Sequence, residues 1–118
     1  MPASRHPVHE LTIPAAATFI ATARIFAGAV AAVARLDQDV VDDLKLAVSE
    51  VVTAIVERGE TREVAVSTLI EPARLVVRIG PWSGEDPGEF GALDIVDALF
   101  PGAAAGDGVI AFAASTGA

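Results

Sequence analysis

The run Asp37-Gln38-Asp39-Val40-Val41-Asp42-Asp43-Leu44-Lys45-Leu46-Ala47-Val48-Ser49-Glu50-Val51-Val52-Thr53-Ala54-Ile55-Val56-Glu57-Arg58-Gly59 decides how this chain folds. Its apolar residues fall at Val40, Val41, Leu44, Ala47, Val48, Val51, Val52 and Ile55. That spacing has the 3.6-residue period of a helix packed along one side. Asp37 stands at the N-cap position, and Asp39, Asp42 and Asp43 place negative charge in the first turns, where the helix dipole favours it. Arg58 in the last turn and Gly59 just beyond it predict the stop.

Upstream, residues 15 to 35 repeat the helical pattern. Phe19, Ile20, Phe26, Val30 and Val33 share a face with Ala16, Ala23, Ala27 and Ala34, and Gly28 weakens this helix by about 1 kcal/mol. Ahead of it, Glu10-Leu11-Thr12-Ile13 alternates as a half-buried edge strand does, and Pro14 ends it. Residues 1–9, with Pro2 and Pro7, read as a loose tail.

Downstream, residues 64 to 70 are rich in β-branched side chains, Glu71-Pro72-Ala73 makes a turn, and residues 75 to 79 resume as an antiparallel partner. Residues 80–91, GPWSGEDPGEFG, form a long loop. Residues 92 to 100 read as a short helix with Leu93, Val96, Leu99 and Phe100 apolar, and residues 109 to 114 read as a last strand after a second glycine-rich loop. The expected fold is α+β, a two-layer sandwich in the order β-α-α-β-β-α-β. Its mostly antiparallel sheet carries the helices on one face, with residues 10–118 as one domain.

Composition narrows the function classes. The chain has 118 residues, 53% of them hydrophobic, and a net charge of −8 from sixteen acids against eight bases, with Lys45 its one lysine. An excess of acids argues against nucleic acid as a partner, because that affinity comes from neutralised phosphates. The absence of cysteine removes thiolate metal sites, disulfides and cysteine nucleophiles. The first ten residues, MPASRHPVHE, lack the apolar core of a signal peptide, and no apolar run nears the ~20 residues of a membrane span. A cytoplasmic protein without membrane contact is the expectation.

Few residues carry chemistry. Glu50, in mid-helix, shares a side with Asp43, Ala47, Ala54 and Glu57, and reads either as a general base or as a solvated acid. His6 and His9 are three apart in the tail with no third ligand, so no metal site is expected. Trp82 reads either as an anchor for a partner or as a cover for the edge of its own core. Arg24, on the first helix, is either a partner contact or a solvated arginine. No serine has a G-x-S-x-G setting, and neither G-x-x-x-x-G-K-[ST] nor G-x-G-x-x-G occurs.

The string Leu46-Ala47-Val48-Ser49-Glu50-Val51-Val52-Thr53-Ala54-Ile55-Val56-Glu57-Arg58-Gly59 resembles the N box of the bacterial anti-sigma-factor serine kinases, L-A-V-S-E-x-x-T-N-A-x-x-H-G. These belong to the histidine-kinase-like (GHKL, Bergerat-fold) ATPase superfamily. Gly91-Ala92-Leu93-Asp94-Ile95-Val96-Asp97-Ala98-Leu99 looks like that family's G-L-x-I-V-x-x-L segment. The resemblance covers about residues 8 to 116 and implies the family's sandwich fold.

It also maps nucleotide-site positions onto Glu50, Thr53, Ala54, Arg58, Gly80 and Gly91. The chain departs from the pattern at its metal, adenine and lid positions, and Arg58 stands where the motif has its histidine. Ala54 stands where the family has its Mg²⁺-holding asparagine, and it offers no oxygen to a hard cation. Ile79-Gly80-Pro81-Trp82-Ser83-Gly84 replaces the D-x-G-x-G that supplies the adenine-binding aspartate, and the lid's G-x-G is broken. Glu50, the activating carboxylate, and Thr53 are kept.

The resemblance thus implies a regulatory binding protein without ATP, Mg²⁺ or kinase activity. Its implied partner is a sigma factor or a STAS-domain anti-sigma antagonist, and Arg24 lies near where the family contacts partners. The alternative is an active ATP-binding serine/threonine protein kinase with Glu50 as base. The alanine-rich first helix and the edge at residues 10–13 also suit a homodimer.

Overall fold

The computed structural model describes residues 8–83 and 91–116. The decisive run folds as α2, Gln38–Arg58, whose buried side is Leu44, Ala47, Val48, Val51, Val52 and Ile55. Gly59 ends it in the left-handed conformation, φ 66°, with its N–H donating to the Val56 carbonyl. Asp37 takes the extended backbone of an N-cap, but its side chain makes no capping hydrogen bond.

The first helix is shorter than the pattern predicts. A single 3-10 turn, Ala17–Phe19, leads into α1, Ile20–Val33. Its buried side is Ala23, Ala27, Val30 and Ala31, so the helix is rotated from the expected face and Val33 is 64% exposed. Small residues decide this, because alanines let the axes of α1 and α2 approach closely. Gly28 serves the same end: the aliphatic stem of Lys45 lies across it, with Cδ 3.5 Å from where a Cβ would stand.

Five strands make one antiparallel sheet: β1 Val8–Pro14, β2 Glu63–Glu71, β3 Arg74–Gly80, β4 Ala104–Gly106 and β5 Val109–Ser115, in the order β1-β2-β3-β5-β4. The third helix, α3, is Ala92–Leu99. The expected four-strand order therefore needs correction, since the second glycine-rich loop contains β4. Asp107 and Gly108, both at positive φ (54° and 79°), form a two-residue turn that folds β4 back on β5. The tail boundary also moves. Val8 and His9 pair with Leu69 and Thr68, and the Thr68 hydroxyl donates to the His9 carbonyl at 3.3 Å. Residues 1–7 lie outside the described part, with His6 among them.

Register places Ile13, Val64, Val66, Thr68, Leu75, Val77, Ile79, Ile110, Phe112 and Ala114 on one face, all buried. The three helices cover that face and share one core with it. Phe100 and Phe112 stack there at 5.4 Å between centroids. The chain is α+β, as expected, with three helices and a five-stranded antiparallel sheet among the described residues. No described helix is long and apolar enough to cross a membrane.

Candidate functional site

Helix α2 packs against both α1 and α3 and so presents two flanks. The flank carrying Glu50, Thr53, Ala54 and Arg58 has these residues at helical spacing. Glu50 and Thr53 are half-buried, and Ala54 packs partly buried against the core. Glu50 has no hydrogen-bond or ion-pair partner among the described residues, while its companions Asp43 and Glu57 are exposed. The expected grouping of Glu50, Thr53 and Ala54 on one helix is therefore present. Ala54 supplies a methyl group where a metal would need an oxygen. Among the described residues no three His, Asp or Glu side chains come together as a metal-ligand set.

The end of β3 lies by the C-terminus of α2. Gly80 is buried against the β4–β5 turn, so close that a Cβ would lie 2.6 Å from the Gly108 carbonyl oxygen. Past a cis Gly80–Pro81 peptide bond, the Trp82 N–H donates to the same carbonyl at 2.7 Å. The Trp82 side chain turns inward, is 4% exposed and belongs to the core. The Arg58 guanidinium lies over its ring at 4.0 Å from the centroid and donates to the Ser83 carbonyl at 2.8 Å. The Ser83 hydroxyl donates to Glu60 at 3.2 Å.

Of the two readings of Trp82, the structure has the one in which it covers its own core. The end of β3 thus presents a buried indole, whose Nε1 is buried without a hydrogen-bond partner. Gly91 stands at the N-cap position of α3. The acids Glu85, Asp86 and Glu89 and the lid positions lie outside the described residues.

The other flank of α2 faces α1. Arg24 is exposed there and, with Ala21, Ile25 and Lys45, lines an open cavity of about 210 Å³. Neither Arg24 nor Lys45 has an ion-pair or hydrogen-bond partner among the described residues. Beside them runs an uncovered apolar stripe, Ile25 (71% exposed), Ala29, Ala32 and Val33, on the side of α1 opposite its buried residues. The periodicity of α1 left Ile25, Ala29 and Ala32 off the expected face but counted Val33 on it, and Lys45 carried no motif. The usable signal was that α1 has one charged residue in fourteen, too few for a helix with one face in water. No protein-family model and no curated protein matches the chain.

Proposed function

We propose that this chain is an anti-sigma-factor-like regulatory protein that acts by binding another protein, without ATP binding or kinase activity. The carrying observation is the uncovered face of α1. Ile25 and Val33 lie in water beside Arg24 and Lys45, two unneutralised cations on a chain of net charge −8. Exposed apolar side chains grouped with like charges are what a protein partner covers. The cations favour a partner segment with acids flanking an apolar stripe.

The resemblance of residues 46–59 to the anti-sigma N box names the partner class as a sigma factor or a STAS-domain antagonist, and the histidine-kinase-like fold is part of the same reading. Ala54 in the metal position and Trp82 turned into the core support a binding role over catalysis. Nucleotide that is not held cannot be positioned for phosphoryl transfer, and positioning is nearly all of that catalysis.

The test is titration of the purified chain with sigma factors and STAS-domain proteins of its host. Binding to one of them is expected, and Ile25→Glu or Arg24→Glu is expected to weaken it at least about tenfold with the fold intact. Micromolar, Mg²⁺-dependent ATP binding that disappears in Glu50→Ala would overturn the reading in favour of the kinase.

A further inference from the structure

The face of the sheet away from the helices carries an open depression of about 530 Å³. Small molecules are held in sites of about 300–1,000 Å³. Small residues make the floor of this one. Register sets Thr12, Ala65 and Gly80 side by side on β1, β2 and β3, and Val109 stands against Gly80 on β5. At the centre of this row are a methyl group and a hydrogen, where longer side chains would fill the face. Glu63 lies one row to one side of the floor, and Ser67 and Arg78 lie one row to the other. The Cα atoms of Glu63 and Arg78 are about 14 Å apart, four residues along the strands and one strand across, too far for the two to pair directly. Both are exposed, and neither has an ion-pair partner among the described residues. Glu10 shares a row with Arg78 but stands two strands away, at about 10 Å, and does not line the depression. The Thr61 hydroxyl donates to the Glu63 carbonyl, whereas the hydroxyls of Thr12 and Ser67 have no partner among the described residues.

We propose that this depression binds a short zwitterionic peptide of dipeptide size, its terminal carboxylate on Arg78 and its α-ammonium on Glu63. Guanidinium and carboxylate recognise these two groups by charge-assisted hydrogen bonds. A cation and an anion at opposite ends of one depression call for a ligand with both charges, held apart. A free anion would meet Glu63 and the chain's net charge of −8, and a free cation would meet Arg78. A single α-amino acid carries both charges on one carbon and cannot span the floor. The amide of a dipeptide lies between its charges, within the span of Thr12 and Ser67, whose hydroxyls both donate and accept. Its side chains rest on Ala65 and Gly80, which favours small ones. The helices lie on the opposite face of the sheet, so the inference is independent of the partner surface on α1.

Titration of the isotope-labelled full chain with alanylalanine, followed by amide chemical shifts, tests it. Saturable shifts centred on Ala65, Ser67, Arg78 and Gly80 are expected, with a dissociation constant of about 1 mM for so small a ligand. N-acetyl-alanylalanine and alanylalanine amide each lack one charge and are expected to bind at least about threefold more weakly. Arg78→Ala and Glu63→Gln are expected to weaken alanylalanine by the same factor. Ala65→Phe fills the floor from an exposed position and is expected to abolish binding, while Ile25→Glu leaves it unchanged. Circular dichroism of each variant confirms the fold. No saturable shift up to about 20 mM dipeptide overturns the inference. So does equal binding of the blocked peptides, free alanine binding as tightly as the dipeptide, or binding that survives Ala65→Phe or is insensitive to Arg78→Ala and Glu63→Gln.

Discussion

The Arg58 guanidinium sits 4.0 Å from the centroid of the Trp82 ring and so clamps the end of β3 onto the end of α2. The ring is buried beneath it, and the same guanidinium holds the Ser83 carbonyl. Trp82→Ala should therefore cost about 3–5 kcal/mol, mainly from lost burial. Arg58→Ala should cost less, because a cation over an aromatic face contributes about 0.5–2 kcal/mol. Urea unfolding of the two single variants and the double variant isolates their coupling, expected at about 0.5–2 kcal/mol; additive losses would show that the stacking contributes nothing. Trp82 is the chain's one tryptophan, so its fluorescence reports the same transition directly.

Gly80 is held by sterics. A methyl group there would meet the Gly108 carbonyl oxygen at 2.6 Å and Val109 Cγ1 at 3.0 Å. Backbone on one side and a β-branched side chain on the other leave little room to yield. Gly80→Ala should destabilise the domain by about 1–3 kcal/mol by forcing the β4–β5 turn away from β3. Gly106→Ala, placed where nothing lies within 4 Å and, like Gly80, not at positive φ, is the comparison for the general cost of replacing a strand glycine. A denaturation midpoint for Gly80→Ala equal to that of the wild type would contradict the close approach.

Elements with long periodic patterns were legible. The C-terminal end of α2 fell at Arg58, with Gly59 as its cap, because charge, period and a glycine agreed there. The β2–β3 hairpin was legible for its β-branched runs flanking Pro72. What escaped was short or set by packing. β4 is three small residues, Ala104–Gly106, with no pattern of their own, although Asp107-Gly108 is a strong hairpin signal between them and β5. The rotation of α1 was hidden because alanine suits a buried and an exposed side equally, so the approach of α2 decided it. At the candidate site, residues on α2 could be grouped by helical spacing. The inward turn of Trp82 could not be read, since it depends on contact with Arg58, twenty-four positions away.

Arg35 marks a place where the chain can be stabilised. It closes α1 at φ 60°, with the Leu36 N–H donating to the Ala31 carbonyl and the Arg35 N–H to the Ala32 carbonyl. That pattern normally has glycine at the left-handed position. Arg35→Gly should raise stability by about 1 kcal/mol, read as a higher urea midpoint with an unchanged slope. Gly28→Ala should add about 0.5–1 kcal/mol from helix propensity, because the nearest atom, Lys45 Cδ, stands at an ordinary 3.5 Å. A loss in Gly28→Ala would mean that Lys45 cannot move aside.

Val48, fully buried on the core side of α2, tests the stripe that decides the fold. Val48→Asp places a carboxylate among Leu44, Val51, Val52 and the sheet with no cation to meet it. The cost of burying an unpaired charge exceeds the stability of a domain of this size, so the variant should be unfolded at neutral pH. Far-ultraviolet circular dichroism gives the answer, and a native spectrum would move Val48 out of the core.

Ala54→Asn separates the loss of one ligand from the loss of a whole site. The substitution supplies the oxygen that a Mg²⁺ ion would need on α2. It leaves Gly80-Pro81-Trp82 at the end of β3, the place to which the proposed anti-sigma-kinase reading assigns the adenine-binding acid, with an indole turned into the core. A metal ligand added to a site without its base-reading acid gives the nucleotide little to hold beyond charge, and this chain's net charge of −8 opposes an anion. Calorimetric titration of wild type and Ala54→Asn with ATP and ADP, with and without Mg²⁺, should show no binding at millimolar nucleotide in either protein. Heat in Ala54→Asn alone would mean that the asparagine was the one missing part and that the rest of the pocket is intact. Heat in both proteins would mean that the flank holding Glu50 and Thr53 works as a nucleotide site, and phosphoryl transfer to a STAS-domain partner would then be the activity to assay.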